Sequence, residues 1–275
     1  MYLEEHKLPN DAIIPLYHFS KLDDTRIVKH CFTTRLGGTS HGIFESLNLS
    51  FTRGDDKECV IENYKRVAYA LESNIDDFVC SDQTHTTNVL RVGLKEKGYG
   101  LTKDRKYTDV DGLVTNECGV VLATFFADCV PLYFVDPAHK AIGLSHSGWR
   151  GTVNRMGKVT IEKMKKEFGS EAKDIICAIG PSICKNCYEI SEEVADLFAR
   201  EFIGHEDEIL VNKGNGKYML DLWKTNEIIL REAGIFLENI EITDKCTCCN
   251  PTVLFSHRAS KGKRGNLGAF LCLKD

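Results

Sequence analysis

Two polar residues at the ends of apolar runs constrain this chain more than any other feature. Residues 122–126 lead into Asp128 and Cys129, and residues 141–144 lead into His146, 17 positions after Cys129. Short apolar runs bounded in this way predict buried β-strands. Because α/β proteins build their sites at the ends of strands, we expect the thiol and the imidazole to meet in a functional site.

A further histidine, His85, gives these two residues a third partner. Zinc accepts thiolate and imidazole ligands together, and a catalytic zinc site has three protein ligands and one open position. His85, Cys129 and His146 therefore predict a metal site that is open to water or substrate. From the spacing alone, two ordinary histidines and a buried cysteine remain the simpler interpretation. The other histidines outside the candidate site are treated as background in turns or exposed segments: His6, His18, His30, His41, His139 and His205.

The cysteine content bears on the cellular compartment. The chain has 12 cysteines in 275 residues, and its polar first segment lacks the apolar core of a signal peptide. We therefore expect a cytoplasmic protein whose cysteines are thiols or metal ligands rather than disulfides. Buried thiols are expected beside apolar residues, at Cys31, Cys59, Cys80, Cys118, Cys177 and Cys272.

A second group of cysteines raises the question of a structural metal site. Cys184 and Cys187 form a C-x-x-C pair, and Cys246, Cys248 and Cys249 lie close together downstream. The 58 positions between Cys187 and Cys246 exceed the usual spacing of a zinc ribbon. No histidine pair completes the set, so buried thiols are the preferred interpretation and structural zinc is the alternative.

Charge and hydropathy argue against two classes of partner. The formal net charge is −5, so the chain lacks the basic surface expected for nucleic-acid binding. No apolar run approaches the ~20 residues that a membrane-spanning helix needs. A small-molecule partner is expected, and the oligomeric state stays open between a monomer and a weak dimer. The short basic segment 261–264 is interpreted as a solvated loop or, alternatively, as a phosphate-binding loop.

The pattern along the chain predicts one domain over residues 1–275 with grouped strands and few, separated helices. This grouping favours an α+β or layered α/β fold with a mixed sheet over an alternating βαβ wind. Residues 136–139 predict a hairpin turn between antiparallel strands. Helices are expected after Asp55, over about 152–168, after Ser191 and over 222–233. Strands are expected over residues 27–34, 88–92, 112–115, 120–125, 131–135, 141–145, 175–179, 240–243 and 269–273.

Ordered sequence blocks extend from about residue 30 to residue 273. They are FTTRLGGTS at 32–40, SLNLS at 46–50, QTH at 83–85, DVDGL at 109–113, ADCVP at 127–131, HSGWRGT at 146–152, IGPSI at 179–183, CYE at 187–189 and FSHR at 255–258. Each block alone is weak, but their number and order are specific. Together they resemble the bacterial polyphenol oxidase laccase-domain family. Its members are described as purine nucleoside phosphorylases with adenosine deaminase activity, and some as peptidoglycan editing factors.

This resemblance implies a fold, a metal site and an activity. The implied fold is a four-layer α/β/β/α arrangement of mixed sheets, of the type seen in cytotoxic-necrotising-factor-like cysteine hydrolases. The implied ligands are His85, Cys129 and His146, with zinc as the expected metal. Copper is the alternative, because Cu(II) outcompetes most divalent ions for such ligands. The implied reaction is cleavage of adenosine, inosine and methylthioadenosine by phosphate, with adenosine deamination as a side activity.

Further site residues are assigned by their chemistry. Asp128 is a candidate general acid or base, or a carboxylate that orients a metal ligand. Adjacent residues of one strand point to opposite faces, so a shared role with Cys129 needs a turn after Phe126. The last basic block of the family, commonly Thr-Gly-Arg, is replaced here by residues 262–264, which leaves its last basic contact open. Candidate substrate or phosphate contacts are Arg35, Asn48, Arg150, His257 and Arg258.

Three other functions compete with this one. A cysteine hydrolase would use Cys129 as nucleophile and His146 as base, and it would cover the editing of peptidoglycan precursors. A copper-dependent polyphenol oxidoreductase is a second alternative, although the chain has none of the His-x-His repeats of multicopper oxidases. A zinc-dependent binding module is the third, and the open position of a three-ligand site argues against it.

Overall fold

The computed structural model describes residues 1–274 of the chain. Parallel and antiparallel strands form the centre of the fold. The strands are β1 (Tyr2–Lys7), β2 (Ile13–His18), β3 (Val28–Thr33), β4 (Phe78–Cys80), β5 (Val89–Arg91), β6 (Gly112–Thr115), β7 (Val121–Phe126), β8 (Val130–Asp136), β9 (Ala141–Ser147), β10 (Ile176–Ile179), β11 (Glu189–Ser191), β12 (Leu210–Gly214), β13 (Lys217–Leu220), β14 (Ile240–Ile242) and β15 (Leu267–Leu273). The helices are α1 (Ser20–Asp24), α2 (Lys57–Ala70), α3 (Trp149–Val153), α4 (Met156–Phe168), α5 (Glu192–Glu201), α6 (Glu206–Ile209), α7 (Leu222–Glu232) and α8 (His257–Ser260).

Two six-stranded sheets and a three-stranded sheet are formed by these strands. The first sheet has the order β1-β2-β3-β15-β7-β4, the second β14-β10-β8-β9-β6-β5 and the small one β11-β13-β12. Both large sheets are mixed, because β4 pairs parallel with β7 while β14 and β5 pair parallel with β10 and β6. Consecutive strands β7 and β8 lie in different sheets, so residues 127–129 pass from one sheet to the other.

Three groups of buried side chains pack these elements together. One joins α2 to the first sheet, through residues such as Val67 and Phe78. Another contains residues of both large sheets, among them Leu122 and Leu144. A third joins the second sheet to α4 and α7. Every residue of β8, β9 and β15 is buried, which explains their nearly continuous apolar sequences.

Several predictions from the sequence are confirmed. The fold is mixed α and β with mixed sheets, and β8 and β9 form the predicted antiparallel hairpin. The helix predicted over 152–168 is instead two helices, α3 and α4, because Arg155 adopts a left-handed conformation with φ 57°. The Arg155 guanidinium forms ion pairs with Glu201 and Glu232 and lies over the Phe202 ring. These tertiary contacts stabilise a break that local helix propensity does not predict.

Among residues 1–274, the cysteines outside the candidate sites carry thiols rather than disulfides. Burial is confirmed for Cys31, Cys80, Cys177 and Cys272, whereas Cys59 is half-buried and the prediction for Cys118 is wrong, because Cys118 is exposed. Among residues 1–274, no helix has the length and apolar character that crossing a membrane requires.

Two histidines treated as background are buried, which corrects that expectation. His30 is 1% exposed and His18 is 8% exposed, and His30 Nε2 accepts a hydrogen bond from the Phe19 backbone N–H at 2.8 Å. Burial, reinforced by repulsion from a neighbouring charged histidine, lowers the pKa of His30 to about 3 and the pKa of His18 to about 4. Both rings are therefore neutral in the folded protein near neutral pH.

This burial predicts sensitivity to acid. Below a pH of about 6.5, these histidines become protonated in the unfolded state but stay neutral in the folded state. The free energy of unfolding therefore decreases as the pH is lowered. Each histidine contributes a slope approaching about 1.4 kcal/mol per pH unit. We expect His30→Gln, which keeps an acceptor near Phe19 but cannot become charged, to flatten this decrease in urea unfolding. The exposed His41→Gln variant is the control, and equal slopes for His30→Gln and the unsubstituted protein would contradict the prediction.

Candidate metal centre and adjoining cavity

The turn between the two large sheets carries Cys129. Strand β7 ends at Phe126 and β8 begins at Val130, and Asp128 between them has φ 87°. A left-handed conformation at a residue other than glycine is costly, and such strain persists where the surrounding structure enforces it. The turn sends the Asp128 and Cys129 side chains to different partners, so the two residues do not share a face.

His85, Cys129 and His146 are brought together by three separate elements. His85 lies in the loop after β4, Cys129 in the turn before β8 and His146 near the end of β9. One potential ligand atom from each side chain lies within 4.8 Å of the others, and Cys129 Sγ is 3.9 Å from His85 Nε2. A thiolate with two imidazoles is a donor set that fits zinc or copper.

A buried carboxylate, that of Asp111, orients two of these residues. No role was predicted for it from the sequence. Asp111 precedes β6 and is 0% exposed. Its Oδ1 accepts hydrogen bonds from His146 Nδ1 at 2.7 Å and from the His85 backbone N–H at 3.1 Å. Its Oδ2 accepts from the backbone N–H groups of Thr84 and Thr86. The Nδ1 contact fixes the tautomer of His146 and leaves Nε2 free as a ligand.

Cys129 and His146 have shifted pKa values. Burial raises the pKa of the Cys129 thiol, but the positive charge of His146 and hydrogen bonds from His146 and His85 outweigh burial and lower it to about 6. Burial lowers the pKa of His146, but the negative charges of Cys129 and Asp111 and their hydrogen bonds raise it to about 9. Cys129 is therefore available as a thiolate at neutral pH, the form that binds metals and attacks electrophiles.

The contacts of Asp111 predict a specific loss in the Asp111→Asn variant. An amide can accept the His146 hydrogen bond only by giving up part of the Thr84–Thr86 contacts, and it carries no charge. We expect about a 10- to 100-fold weaker metal affinity, measured by competition with a chromophoric chelator. Asp109→Asn is the matched control, because the Asp109 side chain contacts Thr84 rather than either histidine. Unchanged metal affinity in Asp111→Asn would contradict the role of Asp111.

Asp128 binds the loops around the turn rather than the cluster. Its Oδ1 accepts a hydrogen bond from Thr247 Oγ1 at 2.6 Å, and its Oδ2 accepts from the Arg258 backbone N–H at 2.7 Å. The residue is 8% exposed. Its predicted part in catalysis stays a prediction, and these contacts give it a second role in holding the turn in place.

A cavity of about 370 Å³ adjoins the cluster. His85, Cys129 and His146 lie in its lining beside three arginines, Arg53, Arg105 and Arg264. Such a volume suits a small-molecule ligand. Neither Arg53 nor Arg105 was predicted, because both lie just outside the sequence blocks at 46–50 and 109–113. Arg264 belongs to the basic segment 261–264, for which a phosphate-binding loop was the alternative interpretation. The remaining lining residues include Ser50, Phe51, Asp82, Gln83, Phe125, Phe126 and Asn266.

The predicted phosphate-binding arginines lie outside this lining and have protein partners. Arg35 donates to the backbone carbonyls of Glu45 and Pro251 and lies over the Phe255 ring. Arg150 is exposed and lies over the Trp149 ring. Contacts of these two arginines with phosphate stay predictions.

The other predicted substrate contacts are also placed outside the lining. The Arg258 guanidinium donates to the carbonyls of Cys187 and Glu189. Asn48 is 0% exposed, and its Oδ1 accepts from the backbone N–H groups of Ser50 and Asn266, two lining residues. His257 is exposed at the start of α8. Substrate contacts by Arg258, Asn48 and His257 stay predictions.

Known proteins share this fold and are similar in sequence. The mixed α/β structure matches that in a crystal structure of the Bacillus licheniformis hypothetical protein YfiH, with a TM-score of 0.89, 32% identity and coverage of 98% of this chain and 99% of that one. It also matches that in a crystal structure of YlmD from Geobacillus stearothermophilus, with a TM-score of 0.85, 35% identity and coverage of 90% and 92%.

Sequence comparison identifies the family. Residues 29–274 match the family model described as multi-copper polyphenol oxidoreductase laccase, and the chain belongs to this family. It is 36% identical to the purine nucleoside phosphorylase YlmD of Bacillus subtilis over 248 residues, which cover 89% of this chain and 88% of that protein. It is 32% identical to the adenosine deaminase RL5 of an unknown prokaryotic organism, over 88% of this chain and 94% of that protein. These names support an enzyme of the laccase-domain family.

Proposed function

We propose that this protein is a metal-dependent purine nucleoside phosphorylase that acts on adenosine, inosine and methylthioadenosine and deaminates adenosine as a side activity. One observation carries the proposal: the His85–Cys129–His146 cluster opens onto a cavity whose lining also holds a buried arginine, Arg264. Three candidate metal ligands and a buried cationic side chain thus line one space of nucleoside size. The names of several relatives, purine nucleoside phosphorylase and adenosine deaminase, support the same reaction class.

His85, Cys129 and His146 would hold the metal, and zinc is the expected ion. When bound, it would supply a Lewis acid and lower the pKa of a coordinated water. Asp111 would hold the His146 ring in place, and the left-handed backbone of His85 would present its imidazole to the same point. The protein would thus orient the ligands before substrate arrives.

Arg264 and Arg53 would bind phosphate. Arg264 is 8% exposed, and within the described chain its Nε has no hydrogen-bond partner. Burial and the nearby positive charge of Arg53 lower the pKa of Arg264 to about 10. Two neighbouring like charges beside one cavity repel each other, and a phosphate dianion would replace this repulsion with charge-assisted hydrogen bonds. Further substrate or phosphate contacts, from residues outside the present lining, are proposed for Arg35, Asn48, Arg150, His257 and Arg258.

The base would pack against aromatic side chains of the lining, Phe51, Phe125 and Phe126. In the proposed reaction a phosphate oxygen forms a bond to the ribose anomeric carbon while the bond from that carbon to the purine nitrogen breaks. The electron pair leaves with the purine, which takes up a proton. Arg264 would hold the attacking phosphate on the ribose side, and the apolar side chains would exclude competing water.

The test is turnover of adenosine and inosine, followed by chromatography with and without phosphate on protein of known metal content. We expect adenine and hypoxanthine release that depends on phosphate. Arg264→Gln should raise the KM for phosphate about 10- to 100-fold, the loss of one or two charge-assisted hydrogen bonds. Arg91→Gln is the matched control, since Arg91 pairs with Glu167 away from the cavity. Absence of both base release and deamination in folded, metal-loaded protein would contradict the proposal.

A cysteine-type hydrolase is the second candidate, and the lowered pKa of Cys129 beside His146 favours it. Cys129 would attack as a thiolate and His146 would donate a proton to the leaving group. This activity would cover peptidoglycan precursor editing. Substrate would then protect Cys129 from alkylation even in metal-free protein. Copper-dependent oxidation of phenols is the remaining alternative, and phenol turnover by the copper-loaded protein would identify it.

We also infer that the packing of α2, the two large sheets, and α4 with α7 forms the four-layer α/β/β/α arrangement of the cytotoxic-necrotising-factor-like type. The three separate groups of buried side chains support this inference, since each lies between one pair of successive layers. In that arrangement the candidate metal centre lies where a chain segment crosses between the two inner layers.

A further inference from the structure

A second group of sulfur atoms converges away from the cavity. Cys184, Cys187, Cys246 and Cys249 each place a sulfur within 4.8 Å of the other three. Cys249 Sγ lies 3.4 Å from Cys187 Sγ and 4.0 Å from Cys184 Sγ. Four sulfurs around a tetrahedral zinc ion at about 2.3 Å are separated by about 3.8 Å. The cluster is therefore close to the size that zinc requires.

Sheet topology explains how cysteines so far apart in sequence meet. Cys184 and Cys187 follow β10, and Cys246 and Cys249 follow β14, its parallel neighbour. The carboxyl ends of parallel neighbours lie at the same edge of a sheet, so the 58 intervening positions impose no separation. The Thr247 backbone N–H also donates to the Ser182 carbonyl at 3.1 Å, which joins the two loops directly. The long spacing between Cys187 and Cys246 therefore does not count against a metal site here.

The backbone around the cluster favours an anionic sulfur at Cys246. The backbone N–H groups of Cys184 and Cys249 donate to Cys246 Sγ at 3.2 and 3.4 Å. Hydrogen bonds to the charged form of a group stabilise that form. Each C-x-x-C also supplies two sulfurs from a single short loop, and this pairing recurs in structural zinc sites.

Packing of apolar thiols accounts poorly for this cluster. Cys249 is exposed, Cys184 and Cys187 are half-buried, and only Cys246 among the four is buried. Thiols that serve as small hydrophobic residues lie in the core, as Cys31 and Cys177 do. All four are free rather than joined by disulfides.

We propose that Cys184, Cys187, Cys246 and Cys249 bind a zinc ion as a closed, four-sulfur structural site, separate from the His85–Cys129–His146 cluster. Four protein ligands leave no open position, so this site holds structure rather than substrate.

The site would hold the turn that carries Cys129. Thr247, between two of the cysteines, donates to Asp128 Oδ1, and the Arg258 guanidinium donates to the Cys187 carbonyl. The Arg258 backbone N–H donates to Asp128 Oδ2. Zinc would thus fix both loops that hold Asp128, the neighbour of Cys129. Loss of this zinc would loosen the turn without removing a ligand of the His85–Cys129–His146 cluster.

The test is the zinc content per chain after dialysis against a weak chelator, by mass spectrometry of the metal. We expect two zinc ions in the unsubstituted protein, one in Cys129→Ala, one in the Cys187→Ser/Cys249→Ser double variant and none in the combined triple variant. Cys248→Ser is the matched control, because Cys248 neighbours the cluster but lies outside it. It should keep both ions.

X-ray absorption of zinc-loaded Cys129→Ala protein supplies a measurement in which all four cysteines of the proposed structural site stay unchanged. We expect only sulfur neighbours at about 2.3 Å. Nitrogen neighbours, zinc-free Cys129→Ala protein, or a Cys187–Cys249 disulfide in freshly purified protein would overturn the proposal. The zinc ion expected in Cys129→Ala protein does not depend on the His85–Cys129–His146 cluster or on nucleoside turnover, so failure of the proposed function would leave that ion in place.

Discussion

Replacing Gly148 by alanine is expected to cost about 100-fold in kcat/KM and at least tenfold in metal affinity while leaving the fold intact. Gly148 lies between His146 and the first residue of α3. An added Cβ would lie 2.9 Å from His85 Cδ2 and 3.0 Å from Cys129 Sγ. The contact with His85 is shorter than a Cβ tolerates and the contact with Cys129 is tight, so at least one of the two ligands must move.

The backbone at Gly148 isolates this steric effect. Its φ of −71° and ψ of 179° are ordinary for alanine, so the substitution adds no backbone strain. Asp111 holds the His85 backbone and the turn at Asp128 carries Cys129, so the contact displaces side-chain atoms of the ligands rather than their backbone. A displacement of a ligand by a few tenths of an ångström is enough to weaken a site that depends on geometry.

Gly151→Ala is the matched control for this prediction. Gly151 lies three positions further on, in α3, and its added Cβ would meet its nearest neighbour, the His146 carbonyl oxygen, at 3.5 Å, which is an ordinary contact. We expect Gly151→Ala to keep metal and activity and to gain slightly in stability from its helical position. Metal titration, kcat/KM and thermal unfolding of both variants decide the matter. Equal behaviour of the two variants would show that the His85–Cys129–His146 cluster does not depend on the absence of a Cβ at Gly148.

The central strands and the Cys129 turn could be predicted from the sequence because their signals are local. β8 and β9 are continuous apolar runs, and β6 has the predicted bounds. By contrast, β1, at the edge of its sheet, carries charged side chains, and β2 beside it contains Pro15, so neither has a sequence typical of a strand. Strands β11, β12 and β13 are short and lie in a small, largely exposed sheet.

The parts of the site that sequence did not predict depend on long-range geometry. Asp111 lies in a recognised block, but its contact with His146 depends on the antiparallel pairing of β6 with β9. Arg53 and Arg264 come to one cavity from loops more than 200 residues apart. The four-cysteine cluster depends on the parallel pairing of β10 with β14. Residue type and spacing do not predict which strands pair, so these contacts become visible only in the folded chain.

Removing the Cys129 thiol is expected to have the largest effect of any substitution in the chain. Cys129→Ala deletes the one anionic side chain among the three candidate ligands and leaves His146 with Asp111 as its only anionic partner of the two that raise its pKa. We expect loss of metal from this cluster and a decrease in kcat/KM of at least about 1000-fold, equivalent to about 4 kcal/mol of transition-state stabilisation. Cys118→Ala, at an exposed thiol far from the cavity, should leave both quantities unchanged.

A second substitution at the same position separates a metal ligand from a nucleophile. Cys129→Asp removes the thiol but supplies a carboxylate, which zinc also accepts. If Cys129 acts as a ligand, we expect the aspartate variant to retain zinc and to exceed Cys129→Ala in kcat/KM by at least about tenfold, or about 1.4 kcal/mol. A zinc-loaded aspartate variant no more active than the alanine variant would instead favour direct attack by the thiolate. Metal content and turnover, measured on the same preparations, therefore discriminate between the phosphorylase and the cysteine hydrolase.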